Sequence, residues 1–358
     1  MSSSSDTYVR QDAAELSSQA VERFTDALIE LKTTTRSGSS LSIYDEFVAV
    51  HWAVTRLNPD NAHGRPAFLP WHREYLYRFE QELRNVDSGV ALPYWNWSAI
   101  DGTTADGEPE FADVSSQPPE WSPTPVFDAI FSDDFLGGAG DPDSGAVTNG
   151  FYTRMDDPQT RTVEGWSLPQ VLADEAGGGD TVFRRNTALN GSAWTGWQSR
   201  VEGQVIGASD YPSFRQRLES HPHNTGHTWT GGQMSRMISP FDPLFWLHHA
   251  EVDRVWLHWQ KAQVQDDDWA GTYQGVPADG HRIDDDMWPW NADGRRPDVP
   301  QAIEDVLPDV PSGDTVQVQD ALDPYDYDYI YDSDSQAGLG LACGSVCTSI
   351  LDACGSRR

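Results

Sequence analysis

Six of the ten histidines in this chain fall into two clusters of three, and this distribution limits how the chain can fold. The six are His51, His63 and His72 in the first cluster and His223, His227 and His249 in the second. Neutral imidazole is a preferred ligand of copper, zinc, nickel and iron. Neither cluster contains a cysteine, and no carboxylate occupies an obvious ligand position. The fold must therefore bring each trio together, and the all-imidazole donor set predicts two copper ions and oxygen chemistry.

In the second cluster, His223 and His227 are four residues apart. On a helix their rings project from the same face, one turn apart, which is a chelating geometry. His221 lies six residues before His227 and therefore points elsewhere around the helix. We predict that His223 and His227 bind one ion together.

The adjacent residues His248 and His249 require a choice of the third ligand. On a helix, His249 shares its face with Phe245 and Asp253, one turn away in either direction. Phe245 is expected to pack beside the site as an apolar wall, and Asp253 to orient the imidazoles or offset the metal charge. His248 points about 100° away, and we expect it to make a structural hydrogen bond. We therefore predict His249 as the ligand.

The first cluster is more widely spaced. His51 and His72 lie in segments with helical periodicity, and His63 lies in the Asn-, Gly- and Pro-rich connection between them. Pro70 suits the first turn of the helix that carries His72. Each histidine alone would most often be a satisfied core or surface residue. Two sets of three, each beside a long amphipathic helix, favour metal binding instead.

Helical periodicity defines the organisation of the chain. It predicts helices at 11–33, 41–57, 70–86, 212–220, 222–229 and 242–264. Residues 88–210 and 265–332 are rich in Gly, Pro, Asp and Ser and predict loops and short elements. The fold class is therefore mainly α with long irregular loops and little β. We predict one domain at 1–332 and a short flexible tail at 333–358, which contains Cys343, Cys347 and Cys354.

The charge of the chain excludes two classes of partner. Asp and Glu outnumber Lys and Arg 56 to 24, for a formal net charge of -32. Such a field repels nucleic acid and anionic membranes, so neither is an expected partner. Lys32 and Lys261 are the lysines, and the other basic residues are arginine. An acidic, lysine-poor surface indicates adaptation to high salt; an acidic protein from a mesophile is the alternative.

The N-terminal sequence shows no secretory signal, and no stretch approaches a membrane span. A cytoplasmic location is therefore expected, with export by an unrecognised route left open. All three cysteines lie in the last sixteen residues, so the body has no disulfide framework. The Cys-x3-Cys spacing of the tail could bind copper(I), although ordinary free thiols are the simpler interpretation.

Two long motifs carry a resemblance to a known family. HGRPAFLPWHREYL, and PHNTGH followed by GGQM and DPLFWLHHAEVDRVW, resemble the two copper motifs of tyrosinases, catechol oxidases and molluscan hemocyanins. The resemblance implies an antiparallel four-helix bundle around a dinuclear copper centre, with the six histidines as ligands and O2 as co-substrate. It also implies ortho-hydroxylation of monophenols and oxidation of o-diphenols to o-quinones, the chemistry of melanin formation.

The resemblance implies roles for three further residues. Asn224 follows the first ligand of the second cluster, and Glu219 precedes that ligand by four residues. In tyrosinase-like enzymes such a pair holds a water that deprotonates the phenol. The alternative for Glu219 is a solvated charge at a helix end. Arg236 falls where the family often places an entrance residue, which would attract a carboxylated phenol; a solvated arginine is the alternative.

Several functional alternatives stay open from sequence. No cysteine lies near the first cluster, so the histidine–cysteine thioether of some relatives is excluded. The nearest rival to a tyrosinase is a catechol or o-aminophenol oxidase without hydroxylase activity. A hemocyanin-like O2 carrier and a di-zinc hydrolase follow. Small phenols and catechols are the expected substrates, while a copper chaperone is left open and the oligomeric state is undetermined.

Overall fold

The computed structural model describes residues 7–103, 109–111, 123–155, 165–191, 194–274, 279–291, 294–308 and 315–334. The α-helices in these ranges are α1 (Ser18–Thr33), α2 (Ile43–Val54), α3 (Phe68–Val86), α4 (Pro123–Ile130), α5 (Gln170–Leu172), α6 (Thr195–Arg200), α7 (Tyr211–Leu218), α8 (Asn224–Thr230), α9 (Leu244–Gln263) and α10 (Gln301–Glu304). The strands are β1 (Tyr8–Arg10), β2 (Ile100–Thr103), β3 (Pro109–Phe111) and β4 (Tyr329–Tyr331). The predicted mainly α fold with little β is confirmed.

Local sequence explains where the long helices begin. Ser17 caps α1 by accepting a hydrogen bond from the Ala20 amide, and Ser42 caps α2 by accepting one from the Asp45 amide. The prediction that the first helix begins at residue 11 is wrong, because Asp12 forms a β-bridge with Tyr94 and keeps that segment extended. The third helix begins at Phe68, so its proline lies in the first turn, where no amide donor is needed.

The long helices pack around α9. Helix α1 contacts α2 and α3, and α3 contacts α9. Every residue of α9 from Leu244 to Gln260 is buried, on all faces, as expected of a helix at the centre of a domain. This packing brings α2, α3 and α9 together, and these are the helices that carry three of the six histidines. The antiparallel four-helix bundle stays a prediction.

Strand pairing and buried ion pairs connect the two ends of the described chain to this core and join the helices within it. Strand β1 pairs in parallel with β4. Arg10 binds Glu80 of α3 at 2.9 Å and lies over the ring of Tyr329 at 3.5 Å. Arg73 of α3 binds Asp253 of α9 at 2.7 Å. Breaking such a pair leaves an uncompensated buried charge, so these contacts hold the helices in register.

The predicted tail lies largely outside the described residues. Its first two members contact the domain: Ser333 accepts a hydrogen bond from Arg254, and Asp334 pairs with Lys261. Residues 335–358, with the three cysteines, are not among those described, so the domain boundary and the role of the tail stay predictions. Within the described part of the chain, no helix is both long and apolar enough to span a membrane.

Candidate metal centre

Six segments of the chain supply the six histidines, one each. His51 lies in α2, His72 in α3 and His249 in α9, while His63 lies in the loop between α2 and α3. The two remaining histidines flank the start of α8. His223 ends a π-helical segment (Glu219–His223), and His227 lies one turn into α8.

The second trio meets at its Nε2 atoms. The Nε2 of His227 lies 3.0 Å from that of His223 and 3.2 Å from that of His249. The Nε2 atoms of His223 and His249 are 3.2 Å apart. Three lone-pair-bearing nitrogens at these separations form a single binding point for one metal ion. We call His223, His227 and His249 the second triad.

The first trio also converges. The Nε2 atoms of His51 and His63 are 3.2 Å apart, and one ring nitrogen from each of His51, His63 and His72 lies within 4.8 Å of the others. The Nε2 of His72 is buried and has no hydrogen-bond partner among the described residues. A buried nitrogen without a partner costs free energy unless something binds it, and a metal ion fits this need. We call these three residues the first triad.

The two triads adjoin each other. The rings of His72 and His249 are stacked, with centroids 4.2 Å apart and planes 13° from parallel. Each of these rings belongs to a different triad. The centre is therefore dinuclear in form, since two ions bound to the triads would be near neighbours.

His248 also lies close to the second triad, and its hydrogen bonds decide its role. A ring nitrogen of His248 lies within 4.8 Å of ligand nitrogens of His223 and His227. However, its Nδ1 accepts a hydrogen bond from the Trp97 indole at 3.0 Å, and its Nε2–H donates to the carbonyl of His223 at 3.1 Å. Both ring nitrogens of His248 are therefore hydrogen-bonded within the protein, which favours His249 as the third ligand.

Backbone carbonyls fix the orientation of most triad rings. A ring that donates its Nδ1–H to an oxygen has its Nε2 lone pair free and aimed at the metal. The observed acceptors are Met237 O for His51 (2.8 Å), Phe68 O for His72 (2.8 Å), Glu219 O for His223 (3.2 Å) and Met234 O for His227 (2.7 Å). The ring of His63 instead faces the carboxylate of Asp60 at 3.3 Å. The Nδ1 of His249 has no partner within the described ranges.

Burial keeps the imidazoles of His51, His72, His223, His227 and His249 neutral. It lowers the pKa of His51, His72, His223 and His249 well below the usual value, and neighbouring imidazoles lower these pKa values further. Burial also lowers the pKa of His227 to about 4. Neutral imidazole is the form that binds a metal ion, so these groups need no deprotonation at neutral pH.

Two phenylalanines form apolar walls around the centre. Phe245, expected to line the site, has its ring centroid 4.2 Å from that of His249 and 5.0 Å from that of His51. Phe68 was not anticipated, and its centroid lies 4.8 Å from that of His72 and 4.9 Å from that of His223. The i, i+4 spacing of Phe68 and His72 could have identified it.

The structure places Glu219 inside the protein. The residue is 7% exposed, so the alternative of a solvated charge at a helix end is wrong. Its Oε1 accepts a hydrogen bond from the amide of Gly64 at 2.5 Å, and its Oε2 pairs with Arg215. Asn224, the first residue of α8, is exposed.

Asp253 does not orient a triad histidine through a hydrogen bond within the described residues. Its carboxylate accepts hydrogen bonds from Arg73 at 2.7 Å, Tyr329 at 2.6 Å and Tyr331 at 2.8 Å. The expected orienting role fails because tertiary packing places β4 and the arginine of α3 against this carboxylate. Burial by itself would raise the pKa of Asp253. The nearby positive charge of Arg73 is the strongest of the opposing effects, and the pKa is lowered below the ordinary value.

Arg236 lies at the surface, next in sequence to a residue that contacts the first triad. It is exposed, and its neighbour Met237 supplies the carbonyl that orients His51. The position fits an entrance residue, and this role stays a prediction.

Two adjacent all-imidazole triads on a helical scaffold define the class of dinuclear, type 3 copper proteins. Similarity to known proteins specifies the family within this class. The family model for the common central domain of tyrosinase matches residues 41–262. The chain is 35% identical over 301 residues to a tyrosinase of Streptomyces antibioticus, an alignment that covers 79% of this chain and 93% of the relative. The chain belongs to the tyrosinase family, whose members use two copper ions with O2.

Solved structures share the fold. A polyphenol oxidase from Thermothelomyces thermophila, solved as a point mutant, matches with a TM-score of 0.58 and 19% identity, covering 91% of this chain and 88% of that one. A functional unit of octopus hemocyanin matches with a TM-score of 0.55 and 18% identity, covering 91% and 68%. At these identities the likeness concerns the fold.

Proposed function

We propose that the protein is a copper-dependent phenol oxidase of the tyrosinase type, which hydroxylates monophenols ortho to their hydroxyl and oxidises o-diphenols to o-quinones with O2. The observation that carries the proposal is the pair of adjoining triads. His51, His63 and His72 would hold one copper ion, and His223, His227 and His249 the other. The bound copper pair supplies O2 binding and electron transfer.

Substrate access supports an enzyme over a sealed carrier. His63 and His227 keep part of their surface exposed, whereas the other four triad histidines are buried. We propose that an aromatic ring reaches the centre past these two partly exposed histidines. Exposed Arg236 precedes the residue whose carbonyl orients His51, and its charge would attract a carboxylated phenol to this part of the surface.

Glu219 is proposed as the base that accepts the phenol proton, through a water held together with Asn224. A carboxylate has about four lone-pair positions. Its bonds to Gly64 and Arg215 therefore leave positions for a water. The carboxylate contacts the residue after His63 and belongs to the segment that ends at His223, so it connects the segments that carry one ligand of each triad. A base at this junction would take the proton of a phenol bound at the centre.

The direct test is oxidation of tyrosine and dopa by copper-loaded protein, with copper measured per chain. We expect two copper ions per chain, rapid oxidation of dopa, and oxidation of tyrosine after a lag. Oxidation of dopa without tyrosine would identify a catechol or o-aminophenol oxidase. Reversible O2 binding without turnover of either phenol would identify a carrier, and binding of zinc without copper a hydrolase.

The proposed base predicts a selective defect in the variant E219Q. Tyrosine hydroxylation should fall by about 10² to 10⁴, the usual contribution of a general base, while dopa oxidation falls less. The measurement is kcat for both substrates at equal copper content. E202Q is the matched control, because Glu202 is an exposed glutamate in the π-helical segment Val201–Val205. Equal losses on tyrosine and dopa would contradict a base role.

A cytoplasmic location stays a prediction from sequence, and the involvement of a copper chaperone stays open. Their tests are fractionation of the native host and copper uptake with and without co-expressed candidates.

A further inference from the structure

His63 is the triad histidine that lies outside a helical segment. It lies in the loop between α2 and α3, and its side chain is 17% exposed. Its ring is oriented by Asp60 at 3.3 Å, a longer contact than the 2.7 to 3.2 Å carbonyl contacts of four other triad rings. The next residue, Gly64, has a φ of +63°, which favours glycine. The position of His63 therefore depends on what holds this loop.

The Gly64 amide is held by a residue from the second triad's own segment. Glu219 accepts the Gly64 N–H with its side chain and accepts the His223 Nδ1–H with its backbone carbonyl, at 3.2 Å. One residue thus contacts the loop that carries a first-triad ligand and orients a ligand of the second triad. The two residues it links through hydrogen bonds, Gly64 and His223, are far apart in sequence.

Arg215 fixes the carboxylate that makes this link. It lies one helical turn before Glu219 and pairs with Oε2, which leaves Oε1 facing the loop. The pair is mostly removed from solvent, with side-chain exposures of 14% for Arg215 and 9% for Glu219. An ion pair shielded in this way holds its geometry better than a solvated one.

We propose that Arg215 and Glu219 form a clasp that sets the position of His63 relative to the second triad and so determines how firmly the first copper ion is held. Arg215 acts as a positioning residue, because it reaches the metal only through Glu219 and the Gly64 loop. The proposal rests on the proposed dicopper function. It adds a role for Glu219 that is separate from proton transfer.

Other contacts hold the same loop but do not link the triads. The Tyr211 hydroxyl donates to the carbonyl of Pro66 at 2.5 Å, and the side chain of Asn61 donates to the carbonyl of Gly280 at 2.9 Å. These contacts keep the loop folded when the clasp is broken. Loss of the clasp should therefore displace His63 without unfolding the loop.

The test compares R215M with R217M. Arg217 is the matched control: it lies on the same helix, is exposed, and donates to the backbone carbonyl of Gln204 instead of a carboxylate. Both variants remove one positive charge and keep an unbranched side chain. The readouts are copper retained per chain against a competing chelator and the EPR signal of the Cu(II)-loaded protein. An isolated Cu(II) gives a signal that a coupled pair lacks.

We expect R217M to match the wild type and R215M to hold one of its two copper ions about 10- to 100-fold more weakly, the usual effect of removing a group that positions a ligand. The chelator should then leave one copper per chain with an EPR signal. R215K should recover most of the retention, because a lysine can still pair with Glu219. If R215M does not fold, R215Q is measured in its place.

Equal copper retention and equal EPR spectra in R215M, R217M and wild type would overturn the clasp. Loss of both copper ions together from R215M would also overturn it, since the clasp concerns the first site. Failure of the proposed function looks different: the wild type itself would then bind fewer than two copper ions or oxidise no phenol.

Discussion

Two neighbouring histidines of α9 illustrate how a residue's role depends on its direction. His248 and His249 are both fully buried, and burial lowers the pKa of both well below the ordinary value. Only His249 directs its Nε2 to the other nitrogens of the second triad. His248 instead connects Trp97 to the carbonyl of His223. Identical side chains one residue apart therefore have different partners.

This difference predicts that substitutions of the two histidines affect the copper content differently. H249A should reduce copper from two ions to one per chain, because the second triad loses a ligand. H248Q should keep two ions while lowering the free energy of unfolding by about 1 to 3 kcal/mol, because a buried hydrogen-bonding group is left without its partner. Copper analysis and urea unfolding measure both quantities. Two ions in H249A and one in H248Q would reverse the assignment.

The buried imidazoles also predict how the copper-free protein responds to acid. His227 has its pKa lowered by burial to about 4, whereas in the unfolded chain it takes a proton near 6.5. Between these values the unfolded state binds more protons, so the free energy of unfolding falls as pH falls from about 6.5 to about 4. His227 alone accounts for a loss on the order of 3 kcal/mol.

Urea unfolding of the copper-free protein at pH 7 and pH 5 measures the part of this loss that falls above pH 5, about 2 kcal/mol for His227. H227N is the control, since it removes this titrating group and should reduce the dependence by that amount. Equal stability of the copper-free wild type at both pH values would show that these imidazoles are not buried as described.

At the scale of elements, the contact between α8 and α9 requires a glycine in α8, because a side chain of α9 lies against the backbone of α8 at that position. A Cβ on Gly226 would lie 2.4 Å from the His248 ring, well inside the contact distance of real atoms. Gly226 precedes His227, and His248 precedes His249, so this contact lies beside two ligands of the second triad. The separation of the two helices is therefore linked to the geometry of the metal site.

The variant G226A should separate α8 from α9. We expect a loss of about 1 to 3 kcal/mol in the free energy of unfolding, typical of overpacking a filled interior, together with weaker binding of one copper ion. G196A is the control, because a Cβ on Gly196 of α6 would meet no described atom within 4 Å and alanine favours a helix. Unchanged stability and copper binding in G226A would contradict the close approach.

At the scale of the whole molecule, the formal net charge of -32 is the feature with the largest expected effect on stability. Several of the cations in ion pairs lie inside the protein and not at its surface, as with Arg10, Arg73, Arg185 and Arg254, whose side chains are fully buried. The negative charges at the surface consequently repel one another with little compensation. Self-repulsion of this kind destabilises the compact state unless salt screens it.

We therefore predict that the thermal midpoint of unfolding rises by several degrees between 0.1 M and molar KCl, and that phenol oxidation falls at low salt. Sucrose at matched osmolality is the control, because it stabilises by exclusion and does not screen charge. A midpoint independent of KCl would contradict adaptation to high salt and favour an acidic protein from a mesophile.

The sequence by itself determined the helical class and the two groups of histidines, because periodicity places side chains on helix faces and ligand chemistry restricts residue types; the choice of His249 as a ligand stays a prediction. The tertiary structure decided the rest. It buried Glu219 against Gly64, engaged Asp253 with arginine and tyrosines from distant segments, and brought Phe68 to the wall of the site. Such contacts join residues far apart in the chain, and local patterns hold no information on which distant segments pack together.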